Sequence, residues 1–237
     1  MSYWKGYNEK LSSITQVMIE HNKNNKFNAV ESSFYPHVRD ILGITLSILQ
    51  NNKVDKDLKI LDYGSNPTVW ANLQNKLNTN LLDVSIYDPF AEKGVEEVAT
   101  LPYKKMIVSS NLYDLSRQEY DLTIFGSVSQ YDSDFISDWD KKRRIDTNYI
   151  LFTHTPLSLG SGFSSKQFSD YTGLQTIHSF DDIQTKLKSE SFDLIFKSTL
   201  SNHYSAVEEQ FLPQTVYANL LFKRVDTDWP AKLSQSM

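Results

Sequence analysis

The stretch that decides the fold is Lys59–Trp70, KILDYGSNPTVW. Residues favouring a strand run into Asp62, then a lone glycine, Gly64, then Ser65-Asn66-Pro67. A strand that ends in a tight turn ahead of a helix lets backbone pass close to a ligand. Nucleotide-binding crossovers usually carry two or three glycines here, and this chain has one. Asn66 is the non-glycine residue best able to adopt positive φ. Pro67 suits a first helical position, whose N–H needs no partner.

Outward from this turn, strand and helix signals alternate. Strands are expected at 58–63, 82–88, 105–110, 121–127 and 149–155. Helices are expected near 67–78, 90–98, 112–118, 131–143 and 180–190. Strands separated by helix-length segments imply βαβ crossovers and a parallel sheet. The rhythm breaks at 192–200 and 216–225, both strands, which the intervening segment joins as a long hairpin. Residues 156–178, polar and rich in Gly and Ser, form an insertion expected to act as a mobile lid or substrate-contacting wall. Before the sheet, a helix is expected around 9–21. In a second, Val38, Ile41, Leu42, Thr45, Ile48 and Leu49 share one face. The expected fold is α/β: a Rossmann-like, seven-stranded, mostly parallel sheet with a terminal antiparallel pair. The expected organisation is a helical extension over 1–54, the α/β domain over 55–226 and a tail over 227–237.

Composition narrows the function. Net charge is −5, with no long basic face, which argues against a dedicated nucleic-acid binder. The one basic run, KKRR at 141–144, follows the acidic DSDFISDWD at 132–140. That order matches the dipole of one solvated helix. The chain has no cysteine, so it forms no disulfide and has no thiolate nucleophile. That suits a cytoplasmic protein. The N-terminus lacks the apolar run of a signal peptide, and no run approaches the roughly 18 apolar residues of a membrane span. No Walker loop, nucleophile elbow or His-Glu-x-x-His motif occurs. Asp132, Asp134, Asp138 and Asp140 read as capping and solvated residues, so no metal is expected.

Together, ILDYGS, the acid ending SIYD, YDLTIFGSVSQY at the fourth strand and the final hairpin resemble the class I S-adenosylmethionine-dependent methyltransferases over about residues 30–225. Within that class, GSVSQY and FTHTPL are similar to a small group of methyltransferases associated with surface-polysaccharide synthesis. The resemblance implies S-adenosylmethionine as cofactor and a small-molecule or sugar-like acceptor. It places Asp62 and Gly64 beside the methionine moiety and ribose, with Ser65 and Asn66 lining the turn. Asp88 would accept hydrogen bonds from ribose hydroxyls. It follows Gly64 by 24 residues, near the spacing of about 20 for such an acid. Asn111 or Asp114 would approach the adenine edge, and Gly126, Ser127 and Gln130 would wall the reactive methyl. Tyr131 and Tyr171 are candidates for substrate contact, with His203 beside Tyr204 a further one. The family's second and third glycines are Asn66 and Thr68 here.

His154 is the candidate base: at the expected carboxyl end of the fifth strand, a neutral imidazole takes a proton from a hydroxyl acceptor. His21, His37 and His178 read as surface or packing residues. Two other readings stand beside methyl transfer. One is a non-catalytic binding or regulatory module of the same fold with a degenerate turn. The other is a nicotinamide-dependent oxidoreductase, against which the single glycine and the terminal hairpin both count.

Overall fold

The computed structural model describes residues 41–46, 49, 57–65, 70, 81–89, 95–97, 103–139, 145–166, 174–200 and 207–225. The expected helix at 9–21, the basic run 141–144, the tail, and Asn66, Pro67, Thr68, His21, His37, Tyr171 and His203 lie outside them. The chain divides into two compact units, Met1–Gly126 and Ser127–Met237.

The first unit carries a sheet of β1 (Leu58–Tyr63), β2 (Leu82–Tyr87), β3 (Val95–Glu97), β4 (Lys105–Ser109) and β5 (Glu119–Gly126). Their order is β3-β4-β2-β1-β5. All neighbours are parallel except β3, which runs antiparallel to β4. β1 is therefore flanked by β2 on one side and by β5, reached from β4, on the other. In open α/β sheets the crevice beyond the carboxyl ends at such a reversal is where ligands bind. The central strands are nearly continuous apolar runs, as a sheet covered on both faces requires. Leu58, Ile60, Leu61, Val84, Ile86, Leu122 and Ile124 are buried. Helix α1, described over 41–46 and 49, buries Leu42, Thr45, Leu46 and Leu49. These include three of the residues assigned to its apolar face. Helix α2 (Leu112–Leu115) follows β4.

Two expectations fail in this unit and at the start of the next. Residues 95–97 form β3 inside the segment expected to be a helix near 90–98. Of the segment 131–143, residues 133–138 are successive turns, with one helical bond from the Asp138 N–H to the Asp134 carbonyl, Trp139 is helical, and 140–143 lie outside the described residues. There the Asp132 carboxylate accepts the Asp134 N–H at 3.1 Å. Such a local side-chain bond competes with the helical pattern.

The second unit is built on β6 (Asp146–Ser158), β7 (Phe163–Lys166), β8 (Leu174–Ser179), β9 (Phe192–Leu200) and β10 (Thr215–Arg224). β10 lies between β6 and β9 and is antiparallel to both, so the terminal strands do form an antiparallel pair. Helix α3 (Phe180–Ser189) is capped by the Ser179 hydroxyl and buries Ile183 and Leu187. Phe152 anchors the core, edge-on to Phe135 and Phe222. Much of the described part of 156–178 is strand. Pro156–Ser158 extends β6, β7 and β8 pair antiparallel, and β8 joins β6 in parallel. With β3, β7 and β8, the described residues hold ten strands where seven are expected.

Candidate functional site

In the first unit the candidates gather at the carboxyl edge of the sheet. Tyr63 is in register with Tyr87 and Phe125, and its ring lies 4.7 and 5.2 Å from theirs. Beyond that row the chain turns at Gly64, whose φ of 75° is the left-handed conformation glycine adopts without strain. The Gly64 N–H donates to the Tyr87 carbonyl at 2.8 Å, and the Asp88 N–H donates to the Ser109 carbonyl at 3.0 Å. These bonds carry the register past the strand ends, so Gly64 and Asp88 stand side by side. Asp88 is half-buried.

Asp62 is placed differently from the expectation of a ligand-facing carboxylate. Its register partners are Ile86 and Ile124, and it is 3% exposed. The Trp70 indole N–H donates to its Oδ2 at 2.7 Å, and the Ser65 side chain bonds it as well. Burial pushes its carboxyl up to about 6 despite those two donors. Asp62 therefore ties Ser65 and Trp70 to the strand end. Trp70 is held in turn by Tyr103, whose hydroxyl donates to its carbonyl at 2.5 Å.

Asn111 caps α2: its Oδ1 accepts the Tyr113 N–H, and its Nδ2 donates to Asp114 at 2.9 Å. Both side chains are exposed, and this mutual bond is what a capping pair makes. Gly126 ends β5.

In the second unit the candidates centre on His154. It lies inside β6, which runs on to Ser158, and not at the strand's carboxyl end as expected. Ser127 and His154 both have positive φ, 51° and 46°, a conformation that costs non-glycine residues on the order of 1–3 kcal/mol. The two are joined. The Ser127 N–H donates to the Thr153 carbonyl at 3.0 Å. Its hydroxyl donates to the His154 carbonyl at 2.6 Å and lies 3.2 Å from His154 Nδ1. A hydroxyl has one hydrogen, and here the carbonyl takes it. The contact to Nδ1 is then a hydrogen bond only if Nδ1–H donates. In a neutral ring this leaves Nε2 as the basic nitrogen. The Tyr217 ring lies 4.7 Å from the imidazole.

Gln130 and Tyr131 belong to a 3-10 helix, Ser129–Tyr131. Gln130 is 6% exposed. Its Oε1 and the Ser129 hydroxyl have no partner among the described residues. His178 holds this turn in place: its Nε2 lies 3.0 and 3.1 Å from the Ser129 and Asp132 carbonyls. Both are acceptors, so Nε2 carries the hydrogen. The Ser129 and Asp132 carbonyls also accept the Asp132 and Phe135 N–H groups, so His178→Ala removes a shared donor without leaving either bare and should cost about 0.5–1.5 kcal/mol. A urea melt of the variant at unchanged stability would show the turn does not depend on it.

No family model matches the chain, and no curated protein matches it. Among solved structures it is similar to the magnesium protoporphyrin IX methyltransferase from Synechocystis PCC 6803 with bound SAH. That match has 12% identity and a TM-score of 0.47, over 79% of this chain and 83% of that one. A SAM-dependent methyltransferase from Methanosarcina mazei matches at 11% identity and TM-score 0.49, over 75% and 97%. A Burkholderia thailandensis 1,6-didemethyltoxoflavin-N1-methyltransferase with bound S-adenosylhomocysteine matches at 10% and 0.47, over 92% and 90%.

Proposed function

We propose that the protein transfers a methyl group from S-adenosylmethionine to a hydroxyl of a small, sugar-like acceptor. The observation that carries this reading is the Gly64 turn. It is left-handed, ends the central strand, and is bonded to the Tyr87 carbonyl with Asp88 beside it. The residues fit a nucleoside cofactor. Gly64 presents backbone without a side chain, and Asp88 is an acceptor suited to a ribose diol. Ser65 lines the turn, and Asp62 keeps it folded from within. Asn111 and Asp114 are the candidates for the adenine edge. S-adenosylmethionine, when bound, supplies a methyl carbon already attached to a cationic leaving group. The protein's main contribution is then alignment of donor and acceptor. His154 is the base we assign, taking the acceptor's hydroxyl proton on Nε2. Gln130 and Tyr131 are assigned to the acceptor, and the buried Gln130 Oε1 suits a hydroxyl donor.

Calorimetric titration with S-adenosylhomocysteine tests the cofactor half. Micromolar binding is expected. Asp88→Ala should weaken it about 10–100-fold, the worth of hydrogen bonds to a charged group. No binding at millimolar ligand would reject the enzyme and favour the non-catalytic module, and binding of NAD instead would favour the oxidoreductase.

A further inference from the structure

We infer that Asn219 is a positioning residue for His154 that acts through the backbone, an assignment resting on the reading of His154 as the base. On β6 and β10, Thr155 faces Ala218 and Phe152 faces Leu220. Thr153 and His154 therefore oppose Asn219 alone, so β6 carries one extra residue. A bulge of this kind re-aims a side chain that strict alternation would otherwise direct. The left-handed residue of the bulge is His154 itself.

The His154 N–H does not go unpaired. It donates to Asn219 Oδ1 at 2.9 Å. A main-chain N–H can only donate, so the facing amide atom is the oxygen. The amide nitrogen then donates to Ser198 Oγ on β9 at 3.1 Å, and Ser198 is the register partner of Asn219. Asn219 is 1% exposed. Its amide is thus tied at both ends, across three strands, and its oxygen is not free to swing away. On the other side of the same residue, the His154 carbonyl accepts the Ser127 hydroxyl.

Two side chains therefore grip His154, Asn219 at its N–H and Ser127 at its carbonyl. Together they hold the left-handed φ and set the direction of the imidazole. Ser127 fixes which ring nitrogen carries hydrogen, and it does so only while the ring stays where the bulge puts it. Ala lacks both the acceptor and the donor. Asp lacks the donor, and Gln carries its amide one methylene too far. Only Asn meets both ends at this length.

The test is nuclear magnetic resonance of the full chain with labelled histidine, which reads the tautomer of His154 directly. In the unaltered protein the Nδ1–H form should dominate. In Asn219→Ala the ratio should move toward Nε2–H by about fivefold, the worth of one ordinary hydrogen bond. An unchanged ratio in a folded Asn219→Ala protein would overturn the assignment. If that variant does not fold, hydrogen exchange at the His154 amide of the unaltered protein decides. Protection supports the clamp, and exchange at the rate of an unstructured amide rejects it. Neither readout needs cofactor or acceptor. A protein that fails to bind S-adenosylhomocysteine therefore sinks the methyl-transfer reading and leaves the clamp to be judged by these measurements.

Discussion

Asp62→Asn should make the protein more stable at pH 8 and nearly unchanged at pH 4. The carboxyl of Asp62 is pushed up from its ordinary 3.8 to about 6, by burial first, against the lowering effects of Ser65 and Trp70. Between those two values the folded chain keeps a proton that the unfolded chain has already released. Stability contributed by this group is therefore present at low pH and is lost as pH rises through about 6. Two units at about 1.4 kcal/mol each give a loss on the order of 3 kcal/mol, complete above about pH 7. Asparagine has no charge to desolvate, and its side-chain oxygen still accepts the Trp70 N–H. The difference between the two proteins in urea melts should open between pH 4 and 7. A difference that stays constant across that range would mean Asp62 is ionised without penalty. Asp62→Leu makes the opposite case, because it leaves the buried indole N–H without its acceptor.

That penalty bears on function through the turn. Asp62 lies one residue from the end of β1, and Ser65 and Trp70, both bonded to it, lie just after Gly64 and five residues further on. The acid at the end of the first strand was legible in the sequence, where it is expected to face a ligand. Its burial was not, because the covering indole comes from Trp70, and nothing in KILDYGSNPTVW says which way that ring folds.

Legibility elsewhere followed the strength of the pattern. β1, β2, β4 and β5 are apolar runs bounded by turn residues, and each lies within two residues of its expected limits. β3 spans three residues, too few to show any period. β7 and β8 were hidden by composition. Ser165, Gln175, His178 and Ser179 are polar yet buried, so a stretch that reads as loop contributes buried strand residues. The alternation that marks a strand is one of burial, and residue polarity did not follow it here. The bulge at His154 has a single trace in the sequence: Asn219, a lone polar residue within VYANLLF. A buried amide inside an apolar strand needs a partner, and its partner proved to be the backbone of the candidate base.

Replacement of His154 should lower methyl transfer to a hydroxylated acceptor by about 10²–10⁴-fold, the usual contribution of a positioned base. Binding of S-adenosylhomocysteine should stay nearly the same, because the cofactor residues we assign belong mostly to the β1, β2 and β4 ends. The choice of variant matters. His154 sits at φ 46°, where alanine is strained and asparagine is tolerated. His154→Asn is therefore the cleaner test, with His154→Ala as the harsher one. Both remove Nε2 as proton acceptor, and a base role requires that both lose turnover. Ser127→Ala should act more mildly. It removes the acceptor of the Nδ1 hydrogen bond while leaving the imidazole in the protein, so a loss nearer tenfold than a thousandfold is expected. If His154→Asn turns over at the original rate, the acceptor surrenders its proton to water, and His154 is a structural residue of the bulge.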